Sequence, residues 1–472
     1  MTLSPTPTRT ADSLREQIVG IDTQVPLLDG SWRTYVNFDN GASTPSLRSA
    51  LEKVNQLMAY YASIHRGAGF KSLVSTHAYE KARQIVSEFV AADPDEDVVI
   101  FGKNTTEATN TLAAVTPWQP GDVVLCTAME HHSNDLPWRQ YAEVVYVGID
   151  ADGQLDMDDY RAKLRQYAGR IRLVAATGAS NVTGFTPPIY AMAALAHQQG
   201  VRMLADCAQL SPHRAVHKGR AGTPEYLDFI TLSGHKLYAP FGTGALVGPR
   251  DYFAQRPPQM RGGGTIEIVT LDEVHWAEAP DRNEAGSPNV PGAVALAAAL
   301  RTLAEVGMPA VAEHEKELTR HILTCFRELD GISIAGSADP ERLDDRLGVI
   351  SFNLAGFSHA QLAGILAHEA GIGVRNGCFC AHPYILRLLK VDQATYQAFR
   401  GRVLQGDRSD LPGLLRVSFG CYNTLAEIDY LVDWLKRIQR GEYRGEYTLH
   451  RRSGSYRPAG WDAAQVPAAF DL

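Results

Sequence analysis

The 472-residue chain lacks several features that mark out whole classes of protein. It has six cysteines, at 126, 207, 325, 378, 380 and 421, too scattered for a disulfide framework, so each thiol has to be read alone. Its longest apolar run, AVALAAAL before Arg301, falls far short of the roughly 20 residues that span a bilayer. The N-terminal stretch MTLSPTPTRTADSLREQ carries no apolar segment of the secretory kind and reads as a frayed arm. No stripe of Lys and Arg is present to follow a phosphate backbone, and 53 acidic residues outweigh 45 basic ones for a net charge of -8. These absences argue against membrane and nucleic acid as partners and lead to the expectation of a cytoplasmic protein. The length itself allows about two to three domains.

What is present is a repeated design. Five segments run from a continuous Val/Ile/Leu/Phe stretch into a polar cluster: DVVIFGKNTTEATN (97–110), DVVLCTAMEHHSN (122–134), IRLVAATGASNVTG (171–184), VRMLADCAQ (201–209) and LDFITLSGHK (227–236). Buried-strand runs alternating with helical stretches such as IYAMAALAHQQG predict an α/β fold with a mostly parallel sheet. In such sheets ligands bind outside the carboxyl ends of the strands, so all five clusters are expected to face one crevice.

The pattern changes near residue 300. One long helix over AAALRTLAEVGMPAVAEHEKELTRHILTCFREL leads to strand RLGVISFNL, helix HAQLAGILAHEAG, a loop around RNGCFCAHP, strand LLRVSFGCYN and a last helix opened by the capping box Thr424-x-x-Glu427. The expected organisation is an arm at 1–30, a large domain at 31–300, a smaller C-terminal α/β domain at 301–440 carrying the Cys380 loop, and an irregular tail at 441–472. Residues 391–413 read as an insertion, and IHRGAGFKS (64–72) as a polar loop.

Lys236 stands at a strand end beside the glycines of SGHKLYAPFGTGALVG. A partly desolvated lysine has a lowered pKa and can form a Schiff base with an aldehyde. Pyridoxal phosphate uses such a lysine, and it also requires an acid for its ring nitrogen and a phosphate site. Asp206 offers the acid. NTTEATN opens a helix directly after a strand, where backbone donors suit a phosphate, with the hydroxyls of Thr105 and Thr106 beside them. Ser233 and His235 flank the lysine. Read singly, each residue has an ordinary meaning as a surface lysine, a helix cap or a loop histidine. It is their arrival at five strand ends together that favours the cofactor.

The motifs SGHKLYAPFGTGALVG, ADCAQ, NTTEATN, MEHHSNDLPW, EAGSPN and RVSFGCYNT resemble the class V aminotransferase family of pyridoxal phosphate enzymes, most closely its group II cysteine desulfurases and selenocysteine lyases. The resemblance runs from NFDNGASTP (37–45) to the final helix and implies a fold type I transferase that works as a homodimer. It implies Lys236 as the Schiff-base lysine, His131 stacked on the cofactor ring, Asp206 on the pyridine nitrogen, Gln209 at the phenolic oxygen and Asn181 beside the ring. Thr106, Ser233 and His235 bind the phosphate on this reading, with Ser287 reaching over from the second subunit where the family usually has Thr. Arg416 matches the arginine for the substrate carboxylate, and His65 and Arg66 match the family's HRG loop.

The reaction turns on VRNGCFCAHPY (374–384), where Cys380 falls on the position of the desulfurase nucleophile. Its implied role is attack on the sulfur of L-cysteine, leaving a persulfide and alanine, with Arg375, Arg416 and His382 nearby to favour a thiolate. Asn376, Cys378 and Phe379 depart from the Thr, His and His of group II enzymes, and GCFC also resembles the molybdenum cofactor sulfurases. An aminotransferase, epimerase or carbon-sulfur lyase without a persulfide stays open at this point, as does a sulfur-acceptor protein of unknown identity. The single C-x-C-x-H cluster lacks the second ligand pair of a structural zinc site, so no metal is expected, and the other four cysteines read as packing residues.

Overall fold

The structure is a computed structural model that describes residues 11–471. Seven strands make the larger sheet: β1 (Asp97–Gly102), β2 (Val123–Thr127), β3 (Glu143–Val147), β4 (Ile171–Thr177), β5 (Arg202–Asp206), β6 (Phe229–Ser233) and β7 (Gly244–Pro249). Their order is β1-β7-β6-β5-β4-β2-β3, and β7 alone runs antiparallel to its neighbours. Successive residues feed opposite cores: Val123 and Leu125 pack on one face of the sheet, Val124 and Cys126 on the other. Burial on both faces is why these strands read as unbroken apolar runs. Helix α1 (Thr105–Val115) follows β1 directly, so its N-terminus lies at the carboxyl side of the sheet.

A second core surrounds an antiparallel sheet of β8 (Ile332–Ala335), β9 (Val349–Leu354), β10 (Arg375–Gly377) and β11 (Leu414–Ser418), in the order β8-β9-β11-β10. The long helix expected across residue 300 is two helices, α2 (Val290–Val306) and α3 (Met308–Arg327), bent by 78°. Gly307 makes the break: its φ of +89° suits glycine, and Pro309 then sits in the first turn of α3, where no backbone donor is lost. A boundary at 300 therefore falls inside α2. Nor does the N-terminal boundary follow the sequence reading, because Val36 and Phe38 belong to the second core and Val36–Asn37 pairs with Ile372–Gly373 in parallel. A two-residue strand gives no periodicity by which to assign it.

Three further segments differ from expectation. The arm packs where it is described, with Leu14 and Ile18 buried in the main core; residues 1–10 lie outside the described residues. The apparent insertion contains helix α5 (Gln393–Leu404), which buries no residue, while α4 (His359–Ala370) before it and α6 (Leu425–Gln439) after it are core helices. The tail is not irregular: β12 (Tyr447–His450) and β13 (Ser455–Pro458) form a hairpin near α4. Glu369 at the end of α4 holds it, accepting the N–H groups of Arg444 at 2.8 Å and Gly445 at 2.9 Å and the Tyr447 hydroxyl at 3.1 Å. Among the described residues no single helix is long and apolar enough to cross a membrane.

Candidate active site

The carboxyl ends of β1, β2, β4, β5 and β6 converge on a cavity of about 300 Å³. Thr105, Thr106, His131, Asn181, Asp206, Gln209, Ser233, His235, Lys236, Cys380 and Arg416 all line it, so eleven of the fourteen site residues read from the sequence meet in one place. The glycines around Lys236 allow the close approach this needs. A Cβ on Gly244 would lie 2.6 Å from the Asn104 Cα, so only glycine lets β7 pass the start of α1.

Each group on the sheet side is held. The Lys236 amine donates to Gln209 Oε1 at 3.0 Å, and burial, reinforced by Arg416, brings its pKa down to about 8. Asp206 accepts from the Ala208 N–H at 3.0 Å and the Thr231 hydroxyl at 3.3 Å, while burial raises its pKa above the usual carboxylate range. His131 Nδ1 accepts the Ser133 N–H at 3.1 Å, and burial together with Lys236 pushes its pKa down to about 3. The imidazole is therefore neutral, with its proton on Nε2. At the start of α1, Ser233 Oγ accepts from the Thr105 N–H at 2.9 Å and Asn104 caps the helix by accepting from Glu107 N–H at 3.1 Å. The helix start and the hydroxyls of Thr105, Thr106 and Ser233 beside it suit an anion.

The opposite lip is the segment between β10 and β11. Phe379 and Cys380 both have left-handed backbones, at φ +48° and +56°, a strained conformation for side-chain-bearing residues. Three contacts hold it: Asn181 Nδ2 donates to Phe379 O at 2.7 Å, His132 N–H donates to Cys380 O at 2.8 Å, and the Arg416 guanidinium lies 4.9 Å from the Phe379 ring centre. Cys380 is exposed and opens on the cavity. Cys378 opens instead on a separate cavity of about 240 Å³ behind the loop, where its thiol donates to Pro412 O at 3.2 Å and burial pushes its pKa up to about 11. The two thiols of GCFC thus face different spaces. Cys126, Cys207 and Cys421 are buried and free, as packing residues are.

Ser287, His65 and Arg66 are not in the cavity of their own chain. They line another cavity together, of about 350 Å³, where Arg66 donates to Ile266 O at 3.4 Å and His65 pairs with Glu80 at 3.3 Å. Two residues were missed by the sequence reading. Ser133 links Thr106, at 2.7 Å, to His131, at 2.9 Å, and its place two residues after His131 was the available signal. Asp39 bridges Arg416, at 3.0 Å, and Arg375, at 2.8 Å, from inside the NFDNGASTP motif, with no local sign of either arginine.

The donor set fits pyridoxal phosphate: an amine, a buried acid, a flat neutral imidazole and a helix N-terminus with hydroxyls surround one cavity. Comparison with known proteins agrees. The class V aminotransferase family model matches residues 36–431. A cysteine desulfurase of Klebsiella pneumoniae is 36% identical over 80% of this chain and 87% of its own. A probable cysteine desulfurase of Mycobacterium leprae is 34% identical over 86% of this chain, which spans 62% of that relative's length. The apo cysteine desulfurase of Thermococcus onnurineus superposes with a TM-score of 0.79 over 92% of this chain and 99% of its own, at 29% identity. The chain belongs to the class V aminotransferases, a family of pyridoxal phosphate enzymes of fold type I, and within them to the cysteine desulfurases.

Proposed function

We propose that the chain is a pyridoxal phosphate-dependent desulfurase that converts L-cysteine to L-alanine and leaves the sulfur as a persulfide on Cys380. The observation that carries this reading is the opening of the exposed Cys380 onto the same cavity as Lys236 and Arg416. The cofactor, when bound, supplies an electron sink for the carbanion formed at the substrate Cα.

The residues divide the remaining work. Lys236 would anchor the cofactor, and its amine, once released, can take and return the Cα proton. Asp206 would keep a proton on the ring nitrogen, and neutral His131, Asn181 and Gln209 would hold the ring and its phenolic oxygen. Thr105, Thr106, Ser233 and His235 would hold the phosphate at the start of α1. Arg416 has three of its five N–H donors left after bonding Asn181 O and Asp39, enough to grip the substrate carboxylate. Cys380 then takes the sulfur: an S–S bond forms as the substrate Cβ–S bond breaks, and protonation of the carbon skeleton gives alanine.

Ser287, His65 and Arg66 serve the cavity of a second copy in a homodimer. Supporting this, Tyr61, which shares their cavity, is 46% exposed, and Phe70 and Ile268 are 72% and 60% exposed, apolar surface that a second copy would cover. The persulfide passes to an acceptor, in the cytoplasm, with neither membrane nor nucleic acid involved.

The test is alanine and sulfide release from L-cysteine with a reductant present, for the purified protein and Cys380→Ser. Activity lost in the variant by at least about 100-fold, with the visible cofactor absorption unchanged, is the expected result. Equal alanine release from both proteins would overturn the reading.

A further inference from the structure

Two arginines stand side by side on the substrate wall. Arg375 and Arg416 are register neighbours on β10 and β11, and both line the cavity. Two guanidinium groups here could hold two anionic groups of a ligand, and the sequence alone gives no reason why they should not. Asp39 changes the count. Its Oδ2 pairs with Arg375 Nη2 at 2.8 Å and its Oδ1 accepts from Arg375 Nε at 3.3 Å, so it occupies the Nε/Nη2 fork with which arginine grips a carboxylate. The same Oδ1 takes one N–H of Arg416, at 3.0 Å. A single carboxylate therefore uses up the Arg375 fork while leaving most of Arg416 free, and lowers the charge of the pair from +2 to +1.

Asp39 is placed to do this steadily. Its N–H donates to Asn37 Oδ1 at 3.0 Å, and it forms a parallel bridge with Ser418, two residues beyond Arg416 on the same strand. The next turn is pinned too, by Gly41 N–H to Ser418 Oγ at 2.8 Å.

We propose that Asp39 is a specificity-determining residue: by occupying the Arg375 fork it restricts the site to amino acids with one carboxylate and rejects those with a second acidic group in the side chain. This rests on the desulfurase reading for its substrate, since it says which amino acids compete with L-cysteine. With Asp39 absent, Arg375 becomes a second anion site within the same cavity.

The experiment measures how L-alanine and L-aspartate inhibit L-cysteine turnover in the holoenzyme, and compares their inhibition constants. In Asp39→Asn the ratio of the L-aspartate to the L-alanine constant is expected to fall about tenfold, equivalent to about 1.4 kcal/mol. In Asp39→Asn/Arg375→Gln it is expected to return to the wild-type value. A fall of less than threefold, or a fall that survives in the double variant, overturns the proposal. If Asp39→Asn turns over too slowly, the same ratio is read by titrating the cofactor absorption with each amino acid. Arg375→Gln is an independent arm: with Asp39 no longer neutralised by that arginine, L-aspartate should bind at least threefold more weakly relative to L-alanine, and an unchanged ratio also overturns the proposal. If the wild type makes no alanine from L-cysteine, the desulfurase reading fails, whereas the binding ratios still judge Asp39.

Discussion

The two walls of the cavity are built on opposite principles. On the sheet side, Asp206 and Ser233 are at most 4% exposed and hold hydrogen bonds fixed by strand ends, and neither has a left-handed backbone. On the lip, two consecutive residues, Phe379 and Cys380, sit in the left-handed region at a cost of about 1–3 kcal/mol each, and the second of them is exposed. Groups that must meet a cofactor at fixed distances are placed on the rigid element, whereas the group that must accept an atom and hand it on is placed on a strained loop held by a few contacts. The rigid wall can take insults that change only charge; the lip depends on a backbone conformation.

The comparison can be broken most severely at Lys236. Burial lowers its pKa from 10.5 to about 8, so in the cofactor-free protein the charged amine is a burden below pH 8. The unfolded chain binds more protons between these values, and the wild type should therefore gain stability as pH rises from 8 to 10.5. Lys236→Met is expected to be more stable than the wild type by at most about 3 kcal/mol at pH 7, with the gap closing as pH rises. Denaturant midpoints across pH 7–10 measure this, and a gap that stays flat or widens would show that the amine is solvated.

On the lip, Phe379→Gly removes the steric cost of its left-handed backbone together with the ring against Arg416. Alanine release should fall about tenfold, or about 1.4 kcal/mol, while the visible absorption bound at Lys236 is unchanged. A shifted absorption with intact turnover would mean that the two walls are coupled. The smallest effect belongs to the rim of the sheet side, where Asn104→Ala removes the cap of α1 and should cost about 1 kcal/mol of stability in a thermal melt. A loss below about 0.3 kcal/mol would assign the anchoring of α1 to Ser233 rather than to Asn104.

How far each wall could be read from the sequence follows the same division. The sheet side was legible because each of its groups ends a continuous apolar run, and a strand end puts a residue in the crevice whatever the rest of the chain does. Gly307 was visible too, yet the amphipathic pattern continues across it, and only its positive φ turns one helix into two. The hairpin of β12 and β13 alternates in burial along Tyr447–His450, but four residues of alternation among so many Arg and Tyr do not stand out. Hidden altogether was Asp39, since its partners are supplied by strands of the second sheet and nothing near residue 39 announces them. His65, Arg66 and Ser287 were found by motif alone, and the chain gathers all three in a second cavity of their own.

The bridge from Asp39 to Arg416 spans 377 residues. On the ribosome this separation becomes a delay: at about 5–20 residues per second, Asp39 waits on the order of 20–75 s before Arg416 is made. All seven strands of the larger sheet have been synthesised by Pro249, so a nascent chain can build the Lys236 side of the cavity long before it owns a carboxylate clamp. Translation order thus separates two competences in time, and chains arrested before residue 416 are expected to hold the sheet without any grip on an amino acid.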